Sequence, residues 1–257
     1  MKKDIKIVAI GGGTGLPVVL RGLKRYTSNI TAIVTVTDSG GSTGILRDEY
    51  DILAPGDLRR CILALSDSAP LMKAIFNYRF SGNGSLAKHS LGNLIMTALV
   101  DITKSDKLAI RKASRILNIR GTVLPVTLDK CHLHAKLEDG QVIQGESNID
   151  IPKHNPELRI EDVFLNKGAR LFSQCKKAIK EADLIVIGPG DLYTSIIPNL
   201  LVIGMKKAIS SSKAKKVYVC NLMTKYGETN GYKASDFVKA INKYIGNDIL
   251  DYVILNS

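Results

Sequence analysis

The feature that most constrains this chain is a glycine-rich turn directly after an aliphatic run near its start. In KIVAIGGGTGL, residues 6–16, a run typical of a buried strand ends at three consecutive glycines. Apolar residues then recur at helical spacing from Leu16 to Leu23. A strand, a glycine turn and a helix in this order place unpaired helix N–H groups against an anion. The opening therefore predicts an α/β fold with a phosphate-binding loop formed by Gly11, Gly12, Gly13, Thr14 and Gly15.

The spacing of these glycines leaves two interpretations open. Gly11, Gly13 and Gly15 fall at alternate positions and lack the later third glycine of the dinucleotide fingerprint, so a plain NAD site is not predicted. Glycine can also serve only to supply a positive φ in a tight turn. We favour phosphate contact over a purely structural turn.

A second glycine loop resembles the first. The segment GPGDLYTS, residues 188–195, follows another continuous aliphatic strand and precedes a helix. Helix capping alone would explain the hydroxyl of Thr194 or that of Ser195. It would not explain why two such glycine loops occur in one chain. We therefore expect both loops to converge on one crevice, the second contributing Gly188, Gly190, Asp191, Thr194 and Ser195.

The order of elements along the chain predicts a mostly parallel sheet covered by helices on both faces, because strands alternate with helices. Residues 122–150 do not follow this order of strands and helices. Apolar and polar residues alternate there at period two around Asp139-Gly140, which predicts an antiparallel hairpin insertion. We expect one domain, residues 1–257. Residues 39–44 are predicted as a flexible loop, Pro55-Gly56 as a turn, and Asp57 as the N-cap of the following helix.

Three acidic residues, Asp38, Asp57 and Asp191, adjoin predicted strand ends or turns. A carboxylate beside a phosphate repels it unless a divalent cation lies between them, so converging acids would favour Mg²⁺ held by Asp38 and Asp191. Each acid taken singly can equally be a cap or turn residue. Magnesium is therefore an expectation that depends on the acids meeting.

Composition narrows the class of partner. The formal net charge of +12 favours an anionic partner, although the lysines lie in segments that read as amphipathic helices with a solvated face. Aromatic residues are few, and a nucleic-acid-binding motif is not found, so nucleic acid ranks last among the candidate partners. Neither a membrane-span pattern nor a signal-peptide pattern is found, which predicts a cytoplasmic protein.

Seven segments in order carry a family resemblance: AIGGGTGLPVVLRGLK, ITAIVTVTDSGGSTGILRDE, PGDLRRCILALSD, HSLGNLIMTAL, GESNI, IGPGDLYTSIIPNLLV and MTKYGETNGYKASD. Over almost the whole chain they resemble the bacterial gluconeogenesis factor family, within the 2-phospho-L-lactate transferase-like superfamily. The resemblance implies a Rossmann-like three-layer fold and a cytoplasmic homodimer. It also implies binding of a nucleotide sugar, UDP-N-acetylglucosamine, and control of carbon metabolism and cell shape.

The resemblance also implies site residues. It maps both glycine loops onto phosphate-binding segments, Asp38 onto an acidic strand end, and Ser90, Gly92 and Asn93 onto the middle motif. Ser42 and Asp57 complete the candidate ligand-binding set. The enzyme branch of the superfamily transfers a phospholactyl group with magnesium, and it has further acids where this chain has Ser39 and Asn93.

These two departures favour binding without catalysis. Three hypotheses remain: a nucleotide-sugar-binding regulator, which we prefer; a magnesium-dependent transferase in which Asp38 and Asp191 are catalytic; and a nucleic-acid-binding module.

Overall fold

The structure, a computed structural model that describes residues 4–256, contains two β-sheets flanked by helices. Along the chain the strands are β1 (Ile7–Gly11), β2 (Ile30–Val34), β3 (Thr122–Pro125), β4 (Leu133–Leu137), β5 (Val142–Gln144), β6 (Ile160–Leu165), β7 (Leu184–Ile187), β8 (Lys215–Val219) and β9 (Tyr252–Ile254). The helices are α1 (Gly15–Leu23), α2 (Gly41–Tyr50), α3 (Pro55–Leu65), α4 (Pro70–Asn77), α5 (Leu91–Thr103), α6 (Asp106–Ile116), α7 (Glu146–Asp150), α8 (Ser173–Glu181), α9 (Ile197–Leu200), α10 (Met205–Ser210) and α11 (Ala234–Ile245). A π-helical turn, Leu192–Ile196, precedes α9.

The larger sheet has the order β3-β2-β1-β7-β8-β9, and its neighbouring strands run parallel. All five residues of β1 are buried, as expected of a central strand covered on both faces. The chain proceeds outward from β1 in one direction and outward from β7 in the other. Such a reversal opens a crevice at the carboxyl ends of the two central strands. The predicted α/β, Rossmann-like fold is confirmed, and its crevice lies beside β1 and β7.

The smaller sheet is antiparallel, with the order β5-β4-β6. The predicted turn at Asp139-Gly140 joins β4 to β5. The predicted insertion of residues 122–150 is wrong at its start, because β3 pairs in parallel with β2 in the main sheet. Alternation over four residues does not distinguish a parallel edge strand from a hairpin strand. The third strand, β6, was not singled out from the sequence.

Two local predictions near α2 and α3 are also corrected. Residues 39–44 are not a loop throughout, because α2 begins at Gly41. A Cβ on Gly44 would lie 2.2 Å from the carbonyl oxygen of Ser39, so close packing requires glycine here despite its weak helix propensity. Pro55 begins α3, and Asp57 is its third residue rather than its N-cap.

Buried apolar residues from both sheets form one continuous cluster, which includes Ile10 and Ile33 from the larger sheet and Leu133 and Val163 from the smaller one. A single domain over residues 1–257 stays a prediction. Of the helices described, none combines the length and the apolar character that crossing a membrane requires.

Candidate functional site

The two glycine loops lie against each other at the crevice. β1 and β7 pair in parallel with Ile10 beside Ile187, so both loops leave the sheet at the same edge. The amide of Gly188 donates to the carbonyl oxygen of Ile10 at 2.9 Å. A Cβ on Gly15 would lie 2.5 Å from the carbonyl oxygen of Pro189, so this contact requires a residue without a side chain. The loops therefore form one continuous wall.

The first loop is held by an anion from the chain itself. The amide of Gly13 donates to Asp57 Oδ2 at 2.7 Å. A Cβ on Gly12 would meet the same oxygen at 2.6 Å, so the carboxylate packs directly under the loop. Arg60 donates to the other oxygen of Asp57, which is 3% exposed. Asp57 thus orders the loop from inside and satisfies one of its amides.

The second loop has an internal anion of its own, Glu228. Its carboxylate accepts from the amide of Tyr193 at 3.2 Å and from the hydroxyl of Thr194 at 3.0 Å. Burial raises the pKa of Glu228 to about 7, against the opposing effect of Lys225. Because it donates to Glu228, the hydroxyl of Thr194 is already engaged within the protein. The hydroxyl of Ser195 lies instead close to Gly13, 2.8 Å from where a Cβ would stand.

Lys225 lies among three carboxylates at the rim of the second loop. Its ammonium contacts Asp150, lies 2.9 Å from Asp191 and lies 3.6 Å from Glu228. One oxygen from each acid lies within 4.8 Å of the others. Burial disfavours the lysine cation, yet its hydrogen bonds to Asp150 and Asp191 outweigh that cost and raise its pKa. Lys225 is thus the internal counter-ion of this cluster.

Asp38 belongs to a different acidic group. Its carboxylate accepts from the amide of Gly40 at 2.9 Å and lies 3.7 Å from Arg60. Burial, and then the charge of Asp57, raise the pKa of Asp38. Burial, and then Asp38, raise the pKa of Glu146 to about 8. The three-carboxylate group found among residues 4–256 includes Asp191 but not Asp38. A metal ion held by Asp38 and Asp191 together stays a prediction.

The predicted residues of the middle motif lie at the start of α5, in a buried polar cluster that also includes Ser42 of α2. Ser42 Oγ lies 3.1 Å from His89 Nδ1, and Asn93 donates to Ser42 at 3.3 Å. Arg59 donates in turn to the side-chain oxygen of Asn93 at 2.9 Å. Ser42, Ser90 and Asn93 are all at most 6% exposed. The side chains of Ser42, Asn93 and Arg59 thus form one hydrogen-bonded chain, and the hydroxyl of Ser90 donates to the carbonyl oxygen of Phe76.

Thr14 lies where two cavities meet. It is the N-cap residue of α1, and its side chain makes no capping hydrogen bond. A cavity of about 470 Å³ extends from Thr14 along both glycine loops, with a further wall formed by Asn221, Leu222, Met223, Lys225 and Tyr226. A second cavity of about 310 Å³ extends from Thr14 along α1, with the basic side chains of Arg21, Arg60 and Lys73.

Several residues of the crevice were not predicted from the sequence. Lys225 and Glu228 organise the second loop, and Asn221 accepts from the amide of Gly190 at 3.1 Å. The only sequence signal for Lys225 and Glu228 is the motif MTKYGETNGYKASD, which helped to carry the family resemblance, and Asn221 lies two residues before it. Arg47 donates to the carbonyl oxygens of Thr37 and Cys131, so it fastens loops below the crevice.

Comparisons with known proteins point to one family. A family model described as 2-phospho-L-lactate transferase CofD matches residues 7–257. A curated relative from Clostridium acetobutylicum is 50% identical over 256 residues. The matched region covers 99% of this chain but only 56% of the length of that relative. The gluconeogenesis factor of Bacillus subtilis is 49% identical, with 100% of this chain and 80% of that protein covered. An X-ray structure of a Bacillus halodurans protein matches with a TM-score of 0.94 at 47% identity, covering 99% of this chain and 81% of that chain.

Proposed function

Because the chain belongs to the 2-phospho-L-lactate transferase CofD family and has gluconeogenesis factors among its curated relatives, we propose that it is a regulatory protein that binds a nucleotide sugar. The ligand we propose is UDP-N-acetylglucosamine, bound in the crevice beside β1 and β7. The wider role is control of carbon metabolism and cell shape in the cytoplasm, exerted by a homodimer.

The contact between the two glycine loops carries this proposal. The missing Cβ of Gly15 lets the second loop approach the start of α1, so both loops border one cavity. The first-turn amides of a helix, here those of Gly15 and Leu16, lack intrahelical acceptors. The first turn of α1 contains no acidic side chain, and Thr14 does not cap it. This helix start therefore attracts an anion, as a diphosphate would require.

The cavities on the two sides of Thr14 suit the two ends of such a ligand. Both volumes, about 470 and about 310 Å³, lie in the ordinary range for small-molecule sites. In the smaller cavity, Arg21 and Lys73 can neutralise phosphate charge. On the other side, exposed apolar side chains offer a surface for a base to pack against: Leu222, Met223 and Tyr226.

Magnesium, implied by the superfamily, fits the donor chemistry of one cluster. Asp150, Asp191 and Glu228 present carboxylate oxygens close to one another, which are ligands that Mg²⁺ prefers. Lys225 already balances their charge, so the cation would have to displace its ammonium. When bound, magnesium would neutralise charge on a neighbouring phosphate.

A second candidate function is transfer of a phospholactyl group, and one observation favours it. Glu146 has a pKa of about 8, because it is buried and lies near Asp38. A carboxyl group that holds its proton at neutral pH can act as a general acid or base. In this alternative Asp38 and Asp191 are the catalytic carboxylates. The internal pairing of Asp38 with Arg60 and of Asp191 with Lys225 leads us to prefer binding.

Calorimetric titration with UDP-N-acetylglucosamine tests the proposal. We expect binding that free N-acetylglucosamine does not reproduce, because the diphosphate supplies much of the affinity. Arg21→Ala should weaken binding about threefold to tenfold, through loss of a cation beside the phosphates. Arg25→Ala, one turn further along the chain and outside both cavities, is the matched control and should leave affinity unchanged.

Two outcomes would overturn the proposal: absence of heat with millimolar ligand and folded protein, or equal effects of the two arginine variants. The transferase alternative predicts magnesium-dependent consumption of a nucleotide substrate, followed by phosphorus NMR, and its loss in Asp38→Asn. Binding without consumption would favour the regulator. Light scattering of the eluting protein tests the proposed homodimer.

A further inference from the structure

A cavity at the edge of the larger sheet, between α6 and the start of α8, shares no lining residue with the two cavities at Thr14. Its volume is about 440 Å³, within the ordinary range for small-molecule sites. Its lining includes four apolar side chains: Ile110, Val123, Leu124 and Phe172. The first three are buried, and Phe172 is half-buried. The cavity therefore offers the apolar part of a small molecule a place away from water.

The charge around this cavity is one-sided. Three exposed cations from successive turns of α6 line it: Lys107, Arg111 and Arg115. None of the described residues that line the cavity is acidic. Lys107 lies over the ring of Phe172, 5.8 Å from its centroid. Neither arginine has an ion pair or a side-chain hydrogen bond within the part of the chain that the structure describes, so both guanidinium groups are free to bind an anion.

One backbone N–H group also lacks a partner at this cavity. The amide of Val126 donates to the carbonyl oxygen of Val34 in β2 at 2.9 Å. Since alternate residues of a strand direct their backbone groups to opposite sides, Val123 and Pro125 direct theirs to the outer edge of the sheet. Pro125 has no N–H, and its carbonyl oxygen accepts from Cys175 Sγ at 3.2 Å. The N–H of Val123 has no acceptor among residues 4–256, although Val123 is only 3% exposed. A buried N–H without a partner is rare, and a ligand in the cavity would satisfy it.

From these features we infer that the cavity binds a small organic anion with an apolar body, such as a phosphate ester or a carboxylate carried by an aromatic ring. The body would pack on the apolar lining, and the N–H of Val123 would donate to a polar atom of the ligand. Arg111 and Arg115 would pair with the anionic group, as guanidinium groups do with phosphate and carboxylate. The site is independent of the crevice and of the ligand proposed there.

Calorimetric titration with compounds that share one ring tests this inference. The probes are naphthyl phosphate, naphthoate and the neutral naphthalenemethanol, all substituted at the same ring position, and inorganic phosphate is the anion without a ring. We expect the two organic anions to bind, and the tighter of them identifies the anionic group that the site prefers. The neutral alcohol and inorganic phosphate should bind at least about tenfold more weakly, because each lacks one half of the interaction. Equal affinity for either of them would overturn the inference.

Matched charge removals locate the site. Arg111→Gln/Arg115→Gln should weaken the binding of naphthyl phosphate by at least about tenfold. Lys112→Gln/Lys180→Gln changes net charge equally at exposed positions outside the cavity and should have little effect. Circular dichroism checks that both variants fold. Equal losses of affinity in the two double variants would overturn the inference.

Two further measurements distinguish this cavity from the crevice. In amide NMR spectra, the proton of the Val123 N–H should shift downfield when naphthyl phosphate is added, because it gains an acceptor. Arg21→Ala, a variant of the crevice, should leave the affinity for naphthyl phosphate unchanged whether or not a nucleotide sugar binds there. An unchanged Val123 resonance, or loss of probe binding in Arg21→Ala, would overturn the inference.

Discussion

The backbone amide of Gly13 donates to the carboxylate of Asp57 at 2.7 Å, across 44 residues of sequence. The first glycine loop is therefore preorganised by an anion of the chain before any ligand arrives. Arg60 binds the same carboxylate and also lies 3.7 Å from Asp38. The floor of the crevice is thus a charge network that is largely balanced within the chain.

Replacing Asp57 by Asn should loosen this loop. The variant keeps the size of the side chain but removes the charge that Gly13 and Arg60 share. We expect the free energy of unfolding to fall by about 1–3 kcal/mol, and the affinity for the nucleotide sugar to fall with it. Urea denaturation and calorimetry measure the two effects. Asp48→Asn, at an exposed position of α2, should change stability by less than about 0.5 kcal/mol, and a similar loss there would contradict the prediction.

Gly15→Ala and Gly22→Ala form a matched pair within α1. At Gly15 the new Cβ would lie 2.5 Å from the carbonyl oxygen of Pro189, so the two loops must separate. At Gly22 nothing lies within 4 Å of the new Cβ. We expect Gly15→Ala to cost about 1–3 kcal/mol of stability and to weaken binding. Gly22→Ala should stabilise the protein by about 0.5–1 kcal/mol and leave binding unchanged. Equal effects at the two positions would show that the loops need not touch.

The strand-glycine-helix units could be predicted because their signal is local. The aliphatic run before Gly11 and the helical spacing after Leu16 fix both elements within a short window. The start of α2 at Gly41 could not be predicted in this way, since serines and glycines favour a loop. That helix depends on tertiary packing, such as the close approach of Gly44 to Ser39.

The internal ions of the crevice could not be predicted for a different reason. Asp57 reaches Gly13, and Glu228 reaches Thr194 across 34 residues, because the sheet order places their elements together. Hydrophobic periodicity carries no information on such pairing. The sequence therefore indicated the loops correctly as neighbours of one crevice. It assigned Asp57 to a helix cap and to the ligand-binding set, and it left Glu228 unassigned.

Glu228 should make stability depend on pH. Burial raises its pKa from 4.5 to about 7 in the folded protein, so the folded state binds a proton more tightly than the unfolded state does. The resulting stabilisation is fully present below about pH 4.5 and is lost as the pH rises to about 7. Glu228→Gln lacks this titration. The stability of the wild type relative to the variant should therefore decrease over this interval in urea denaturation.

The control for this pH dependence is Glu49→Gln, which removes an exposed carboxylate from α2. Its stability relative to the wild type should stay nearly constant over the same interval. A constant difference for Glu228→Gln as well would mean that Glu228 is ionised in the folded protein throughout, with Lys225 outweighing its burial.

Lys225→Met should convert a lysine-balanced cluster into a cation site. Without the ammonium, Asp150, Asp191 and Glu228 face one another with nothing between their oxygens, and we expect a loss of roughly 1–3 kcal/mol of stability. Magnesium at a concentration about ten times its dissociation constant would return about 1.4 kcal/mol, a rise in melting temperature of about 3–6 °C. The wild type should respond less, because Mg²⁺ must first displace Lys225.

Sodium chloride of equal ionic strength separates specific binding from screening, and Lys239→Met, which removes an exposed lysine, is the matched variant. An equally large rise in melting temperature with magnesium in the wild type would show that Mg²⁺ displaces the ammonium of Lys225 readily. That result would contradict the counter-ion role and favour the magnesium-dependent transferase over the regulator.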